Sequence, residues 1–134
     1  MEESIIKFQR SLKLFEDAYA TLEKALNEPS VTEYIKDSIV KRFEYTLEMA
    51  WKTLKTYMIE FDGIDENSPK KVIRAAFEQG YIAENLEFWD EAFEARNKTA
   101  HEYGADRGET AYQFAREHHF IFRDLLLILK TTRS

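Results

Sequence analysis

Apolar residues recur every three or four positions along most of the chain, the spacing that places them on one face of an α-helix. The first apolar stripe runs from residue 5 to residue 26. Four more follow, at about residues 35–61, 72–77, 86–103 and 111–129. No segment alternates apolar and polar residues as a half-buried strand would. The pattern predicts an all-α protein, an up-and-down bundle of four long helices with an additional short helix.

Short segments with helix start and stop signals separate these stripes. Ser68 and Pro69 are typical of an N-cap followed by proline at the first helical position of the short third helix. Gly80 suits a left-handed residue at its end, and Gly104 is the expected end of the fourth helix. Because no repeat or linker divides the chain, residues 1–134 are predicted to form a single domain.

The amino-acid composition limits the cellular compartment and the kinds of chemistry that can be expected of this chain. The chain has no Cys, which removes disulfides and thiolate chemistry and fits a reducing compartment. It lacks the roughly 18 consecutive apolar residues of a membrane span, and its acidic start does not resemble a signal peptide. We therefore expect a cytoplasmic protein without membrane contact. The net charge of −6 argues against nonspecific coating of nucleic acid but permits a local anion site.

The fourth predicted helix carries the most informative polar residues. Arg96 occupies a position that the apolar stripe reserves for apolar side chains, and a polar stripe of Asp90, Glu94, Asn97 and His101 runs beside it. Asn97 is one turn from His101, so its amide could orient the imidazole. Arg96 and His101 differ by about 140° on an ideal helix, so one chain is not expected to aim both at one atom. Two copies related by a twofold axis could do so.

This combination suits phosphodiester cleavage without a metal. A histidine titrates near neutral pH and can accept the proton of an RNA 2′-hydroxyl or donate one to the leaving oxygen. An arginine stays charged and can stabilise the transition-state phosphate with two hydrogen bonds. No Glu is followed by His three residues later, the pairing of di-metal bundles. We therefore expect neither a metal site nor a cofactor.

Structural explanations remain open for each residue alone. Arg96 could be an ion-paired structural residue, with Glu44 or Glu48 of the second helix as its partner. The helix dipole favours a histidine in a last turn, which would explain His101. Tyr103 could be ordinary packing with its hydroxyl in water. His118 lies on an apolar stripe and is better explained as a satisfied core histidine.

Three segments in order resemble one known family. Residues 42–55 (RFEYTLEMAWKTLK) and 68–77 (SPKKVIRAAF) resemble the second and third helices of the nucleotidyltransferase substrate-binding family, a branch of the HEPN superfamily. Residues 96–103 (RNKTAHEY) match the HEPN signature of Arg, a polar residue and His, in the form that adds Tyr two places later. Many relatives have an acidic residue directly after the Tyr, where this chain has Gly104 and then, two positions on, Asp106.

The resemblance implies a helical-bundle homodimer that works beside a small, separately encoded nucleotidyltransferase. In related toxin–antitoxin pairs the HEPN subunit is a metal-independent endoribonuclease whose composite site takes Arg and His from both subunits. The nucleotidyltransferase neutralises it by adding AMP to the Tyr of the motif. Carried over, Arg96 stabilises the phosphate, His101 performs acid–base catalysis, Asn97 assists and Tyr103 is the adenylylated residue.

Two functional hypotheses follow from these residues and the resemblance. The first is an endoribonuclease toxin that acts on RNA through Arg96 and His101. The alternative is a noncatalytic subunit that binds a nucleotide or another substrate and presents it to the partner nucleotidyltransferase. Cleavage of RNA separates the two hypotheses, because only the first requires His101.

Overall fold

The computed structural model describes residues 2–104 and 107–132, and these segments contain six α-helices and no strand. The prediction of an all-α protein is therefore confirmed. Among the described residues, none of the helices is long and apolar enough to cross a membrane. Asp106 lies outside the described residues. The helices are α1 (Glu2–Leu26), α2 (Glu33–Asp62), α3 (Pro69–Glu78), α4 (Leu86–Thr99), α5 (Glu109–His118) and α6 (Phe120–Thr132).

The long helices α1 and α2 form an antiparallel pair. Phe8, near the start of α1, packs edge-on against Tyr57 and Phe61 near the end of α2, with ring centroids 5.2 and 5.7 Å apart. Such aromatic pairs contribute about 0.5–1.5 kcal/mol beyond the burial of their area. The apolar stripe predicted for the first helix is the buried face of α1, with Phe8, Phe15, Tyr19 and Leu22 in the core.

Phe122 of α6 joins the remaining long helices to this pair. Its side chain is fully buried, and its ring contacts Phe15 of α1, Phe43 of α2 and Trp89 of α4 at centroid distances of 6.3, 6.2 and 5.6 Å. Four helices therefore share one aromatic core. The face of α4 turned away from this core carries the polar residues of the candidate site.

The start of α3 is held by the loop that precedes it. Lys55 of α2 donates hydrogen bonds to Asp65 at 2.8 Å and to the backbone carbonyl of Glu66 at 2.6 Å. Ser68 then caps α3, because its hydroxyl accepts a hydrogen bond from the Lys71 N–H at 3.3 Å, and Pro69 follows in the first turn. The predicted start of the short helix is confirmed.

The predicted fifth helix is interrupted at a single residue and therefore consists of α5 and α6. The chain breaks at His119, between α5 and α6, although neither Gly nor Pro lies there. The Phe122 N–H donates to the His119 carbonyl three residues back, at 3.1 Å, which is a tighter turn than the α-helix. A uniform apolar stripe does not reveal a break of this kind, because both halves bury the same face.

The two histidines at the break contact different helices. His118 stacks on Phe88 at 4.5 Å between ring centroids. Its buried Nδ1 has no hydrogen-bond partner among the described residues. His119 points towards α1, where the Tyr19 hydroxyl lies 3.1 Å from its Nδ1. The break is thus fixed by side-chain contacts on both sides.

Candidate functional site

Helix α4 turns a stripe of mostly small residues to the core. Trp89, Ala92, Ala95 and Thr99 are its buried residues, whereas Arg96 is exposed. The expectation that Arg96 occupies an apolar position is therefore wrong. The large residues at positions 86, 89 and 93 predict a buried face that continues through positions 96 and 100. The observed buried face instead continues through positions 92, 95 and 99, each one residue earlier in the chain. Because Ala92 and Ala95 have short side chains, α4 approaches the core closely along their line.

Helix α4 also ends earlier than the sequence predicted, at Thr99 rather than near Gly104. The Ala100 and His101 N–H groups donate to the carbonyls of Asn97 and Lys98, three residues back, at 3.2 and 2.9 Å. These are the bonds of a tight 3₁₀-type turn rather than of a continuing α-helix. His101 therefore lies in a turn, and its direction does not follow from an ideal helix through residue 101.

This turn brings the predicted site residues to one cavity. An open cavity of about 430 Å³ is lined by Arg96, Asn97 and His101, together with Glu44, Thr99, Ala100 and Arg107. Arg96 and His101 therefore line one cavity, whereas a continuous ideal helix would turn them about 140° apart. The side chains of Arg96, Asn97 and His101 are exposed, so a ligand can reach all three.

Tyr103 lies just beyond this cavity and does not line it. Its side chain is 84% exposed, the most open aromatic of the motif region. The expectation of ordinary packing is not met, because a packed tyrosine would lose most of its exposure. The hydroxyl of Tyr103 is accessible to another protein.

Glu102, between His101 and Tyr103, anchors the turn to the start of α5. Its carboxylate accepts a hydrogen bond from the Gly108 N–H at 2.8 Å and another from the Thr110 hydroxyl at 3.2 Å. Gly108 is the N-cap of α5 and has no side chain to cap it, so Glu102 supplies the negative group that a helix start favours. Sequence reasoning missed Glu102. The signal was a helix predicted at Glu109 without a capping side chain before it.

Gly108 fixes the other end of this loop against α2. Its φ of +83° belongs to the left-handed region that glycine adopts at little cost. A Cβ at this position would lie 3.0 Å from Cγ2 of Val40, closer than a normal contact. The loop that carries Tyr103 is thus held by a charged cap and by a close backbone approach.

A second cavity, of about 540 Å³, adjoins the first and shares Arg96 and Asn97 with it. It lies between the start of α3 and the exposed face of α4, and we call it the α3–α4 cavity. Its lining comprises Glu48, Ser68, Pro69, Lys70, Ile73, Arg74, Asp90, Phe93, Glu94, Arg96 and Asn97. The polar stripe of Asp90, Glu94, Asn97 and His101 therefore follows the two cavities in order.

Arg96 is the cation at the junction of the two cavities. Among residues 2–104 and 107–132, no ion pair joins it to a carboxylate, so the expected pairing with Glu44 or Glu48 is not observed there. Glu48 instead accepts from the Trp51 indole N–H at 3.1 Å and pairs with Lys52 at 3.2 Å. The Arg96 guanidinium thus keeps its donors for a ligand.

The charge state of Glu48 reflects these partners. Burial raises the pKa of its carboxyl, but the hydrogen bonds from Trp51 and Lys52, with the charges of Lys52 and Arg96, outweigh burial and lower it. Glu48 is therefore ionised at neutral pH and contributes negative charge to the wall of the α3–α4 cavity. In the described part of the chain, no group of three or more His, Asp or Glu side chains could hold a metal ion.

Comparisons with known proteins agree with this architecture. The family model described as nucleotidyltransferase substrate binding protein like matches residues 10–130. The chain belongs to this family. A crystal structure of a protein from Thermus thermophilus is similar to it, with a TM-score of 0.75 and 30% sequence identity over 90% of this chain and 99% of that one. No curated protein matches the chain.

Proposed function

We propose that this chain is the helical partner of a small nucleotidyltransferase and that it cleaves RNA without a metal, using Arg96 and His101. The observation that carries the proposal is the cavity that both side chains line together with Asn97. The family description supports a nucleotidyltransferase as the partner. The exposure of the three side chains supports a site that is open to a polymer.

The proposed reaction is transesterification at a phosphodiester. His101 accepts the proton of the 2′-hydroxyl, the 2′-oxygen bonds to phosphorus, and the bond to the 5′-oxygen breaks. The 5′-oxygen leaves with a proton from a second imidazole, giving a 2′,3′-cyclic phosphate and a 5′-hydroxyl. Arg96 binds the phosphate oxygens, on which negative charge increases in the transition state. Asn97 orients the imidazole of His101 or assists at the phosphate.

A homodimer supplies the second imidazole. Two chains related by a twofold axis would bring two copies of the Arg96–His101 cavity together, with one His101 as base and the other as acid. Tyr103 adds control, because its exposed hydroxyl is accessible to the partner enzyme. Its oxygen would attack the α-phosphate of ATP, which the partner binds, forming an AMP–tyrosine ester and releasing pyrophosphate.

The second candidate function is a noncatalytic subunit that binds a nucleotide for the partner enzyme. The specific observation in its favour is the α3–α4 cavity, which is larger than the Arg96–His101 cavity and lies away from His101. The acidic net charge of −6 also favours a small ligand over a long polyanion. In this case His101 is dispensable for binding.

An RNA cleavage assay in EDTA tests the proposal. The purified chain should release products with 2′,3′-cyclic phosphate and 5′-hydroxyl ends, and R96A and H101A should each lower the rate by about 10² or more. Lys98→Ala is the matched control, because Lys98 is an exposed cation of α4 that lines neither cavity. Production of the wild-type chain alone should slow growth, and H101A should relieve this.

The same purified wild-type and H101A chains distinguish the two candidate functions. If wild type cleaves no RNA and is harmless to cells, the nuclease proposal is wrong. Nucleotide or partner binding that survives H101A would then support the noncatalytic subunit. A small nucleotidyltransferase encoded beside this chain would support both, and co-purification with it measures the partnership directly.

A further inference from the structure

The α3–α4 cavity combines an apolar floor with two kinds of charged wall. The floor contains Pro69, Ile73 and Phe93, of which Ile73 is buried and the other two are half-buried. Flat bases of single-stranded nucleic acid stack on aromatic and apolar side chains of this type. An apolar floor alone would bind any base, so the charged side chains around it determine which base is preferred.

Asp90 and Glu94 form the acceptor wall. They lie one turn apart on α4 at the cavity, and no ion pair or hydrogen bond occupies either carboxylate among the described residues. Glu48 is different, because Trp51 and Lys52 already use its oxygens. Two carboxylates without a protein partner among the described residues therefore line the cavity, and an ionised carboxylate can only accept hydrogen bonds.

A base recognised by carboxylates must present hydrogen-bond donors. Guanine is the only common base with two adjacent donors, N1–H and the 2-amino group, on its pairing edge. A carboxylate accepts both in a bidentate arrangement, whereas adenine, cytosine and uracil each combine a donor with acceptors that a carboxylate repels. The hydrogen-bonding capacity of Asp90 and Glu94 therefore matches guanine better than the other three bases.

Cations on the remaining sides suit the phosphate of the same nucleotide. Arg96 lies six residues after Asp90 on α4, about 9 Å further along the helix axis, a separation similar to that between the pairing edge of a base and its phosphate. Lys70 and Arg74 of α3 line the opposite side of the cavity. Arg96 is shared with the cavity that contains His101, so a phosphate bound there lies beside the proposed reaction centre.

We propose that the α3–α4 cavity is a guanine nucleotide subsite, with the base on Phe93 and the carboxylates of Asp90 and Glu94, and the phosphate on Arg96. The subsite rests on the proposed function in one respect, which is that Arg96 binds a phosphate group. The ligand is either a guanosine within single-stranded RNA next to the cleaved bond or a free guanosine monophosphate. Both present the same base and phosphate to these residues.

Binding to the H101A chain tests the subsite without depending on cleavage. Fluorescein-labelled RNA pentanucleotides that differ only in a central G, A, C or U are titrated and followed by anisotropy. The G-containing RNA should bind about tenfold more tightly, which corresponds to about 1.4 kcal/mol and to one bidentate base contact. Competition by free GMP, compared with AMP, CMP and UMP, distinguishes a free nucleotide from a residue within RNA.

Substitutions assign the preference to the two carboxylates. D90N and E94Q should each reduce the preference for G severalfold, because an amide offers both a donor and an acceptor and no longer discriminates against bases that also present both. Glu91→Gln is the matched control, since Glu91 is an exposed carboxylate of α4 that does not line the cavity. Far-UV circular dichroism checks that every variant is folded.

The outcomes separate this inference from the proposed nuclease activity. Equal binding of all four RNAs and all four free nucleotides would overturn the subsite, whether or not wild type cleaves RNA. A preference for G that D90N and E94Q leave unchanged would also overturn it. A preference for G that both variants remove supports the subsite, even for a chain that cleaves nothing.

Discussion

At the scale of single residues, Glu102 determines where its two neighbours lie. Its carboxylate binds the Gly108 N–H and the Thr110 hydroxyl, so the backbone between His101 and Tyr103 is tied to the start of α5. A turn held in this way keeps His101 at the cavity that it shares with Arg96. Without the carboxylate, the start of α5 would lack a cap and the turn would lose its anchor.

We predict that E102A lowers both stability and cleavage. Loss of a cap of this kind costs about 1 kcal/mol of unfolding free energy, and cleavage should fall at least severalfold because His101 is no longer held. Urea unfolding followed by circular dichroism and the EDTA cleavage assay measure the two effects. Glu91→Ala is the control, since Glu91 is an exposed carboxylate of α4 that lies outside the Arg96–His101 cavity. Wild-type cleavage by a folded E102A chain would contradict the anchoring role.

His119 makes stability depend on pH. Burial lowers the pKa of its imidazole, and the charge of Arg123 lowers it further against the opposing charge of Glu23. Burial and the nearby Glu23 raise the pKa of Tyr19 to about 12, so the Tyr19 hydroxyl keeps its proton, and its oxygen lies 3.1 Å from Nδ1 of His119. Protonation of His119 would place a charge in the partly buried space between α1 and the α5–α6 break.

The sign of the pH effect follows from the lowered pKa of His119. As pH falls below the ordinary histidine value of about 6.5, the unfolded chain takes up a proton before the folded chain does, so the unfolding free energy decreases. Above that value the contribution is fully present. We predict that H119Q flattens this decrease between about pH 7.5 and pH 5, measured by urea unfolding at each pH. Parallel curves for wild type and H119Q would show that His119 has no such role.

At the scale of secondary-structure elements, the start of α5 depends on a close approach to α2. Gly108 and Gly80 have nearly the same positive φ, +83° and +85°, so an alanine at either position has a similar backbone cost of about 1–2 kcal/mol. Only Gly108 of these two has a neighbour in the way, because its added Cβ would lie 3.0 Å from Val40. Gly80 has open space and is a matched control.

We predict that G108A lowers the unfolding free energy more than G80A does. The difference arises from the contact with Val40, which must shift to admit a methyl group. In a V40A background, the two glycine substitutions should have nearly equal effects, because the obstructing side chain is gone. Urea unfolding of the single and double variants and of wild type measures each step. An equal loss for G108A and G80A in the wild-type background would show that α2 adjusts to the loop at no cost.

Element boundaries show which parts of the fold the sequence can predict. The apolar stripes of α1 and α2, with Ser68 and Pro69 at the start of α3, follow from residue spacing and capping preference, which are local properties. The register of α4 does not, because Ala92 and Ala95 are buried by close approach to the core rather than by their own size. The break at His119 depends on contacts with Tyr19 and Phe88 from distant helices.

The sequence predicts which residues form the candidate site but not how they are arranged in space. The run from Arg96 to Tyr103 was identified from an unusual charge and a motif, both visible in the sequence. The shared cavity arises because α4 ends at Thr99, and the turn after it is held by Glu102 through a contact six residues ahead. Such a contact leaves no periodic signal, so an ideal helix was the natural but wrong assumption.

At the scale of the whole molecule, the described chain has His101 and no second histidine at the cavity of Arg96 and His101. The proposed reaction needs both a base and an acid, because a proton leaves the 2′-hydroxyl and another joins the 5′-oxygen. The proposed twofold dimer would meet this need with two identical imidazoles. It would also bring two Arg96 side chains to one phosphate.

A mixed dimer tests this arrangement. Wild-type and H101A chains are co-produced with different affinity tags and purified through both tags in turn. If one reaction needs the imidazoles of both chains, the mixed dimer should lose cleavage by about 10² or more, as H101A does alone. A mixed dimer that keeps about half of the wild-type rate would place a complete site within each chain, which the shared cavity of Arg96 and His101 also allows. A wild-type dimer that carries both tags and is purified in the same way sets the full rate.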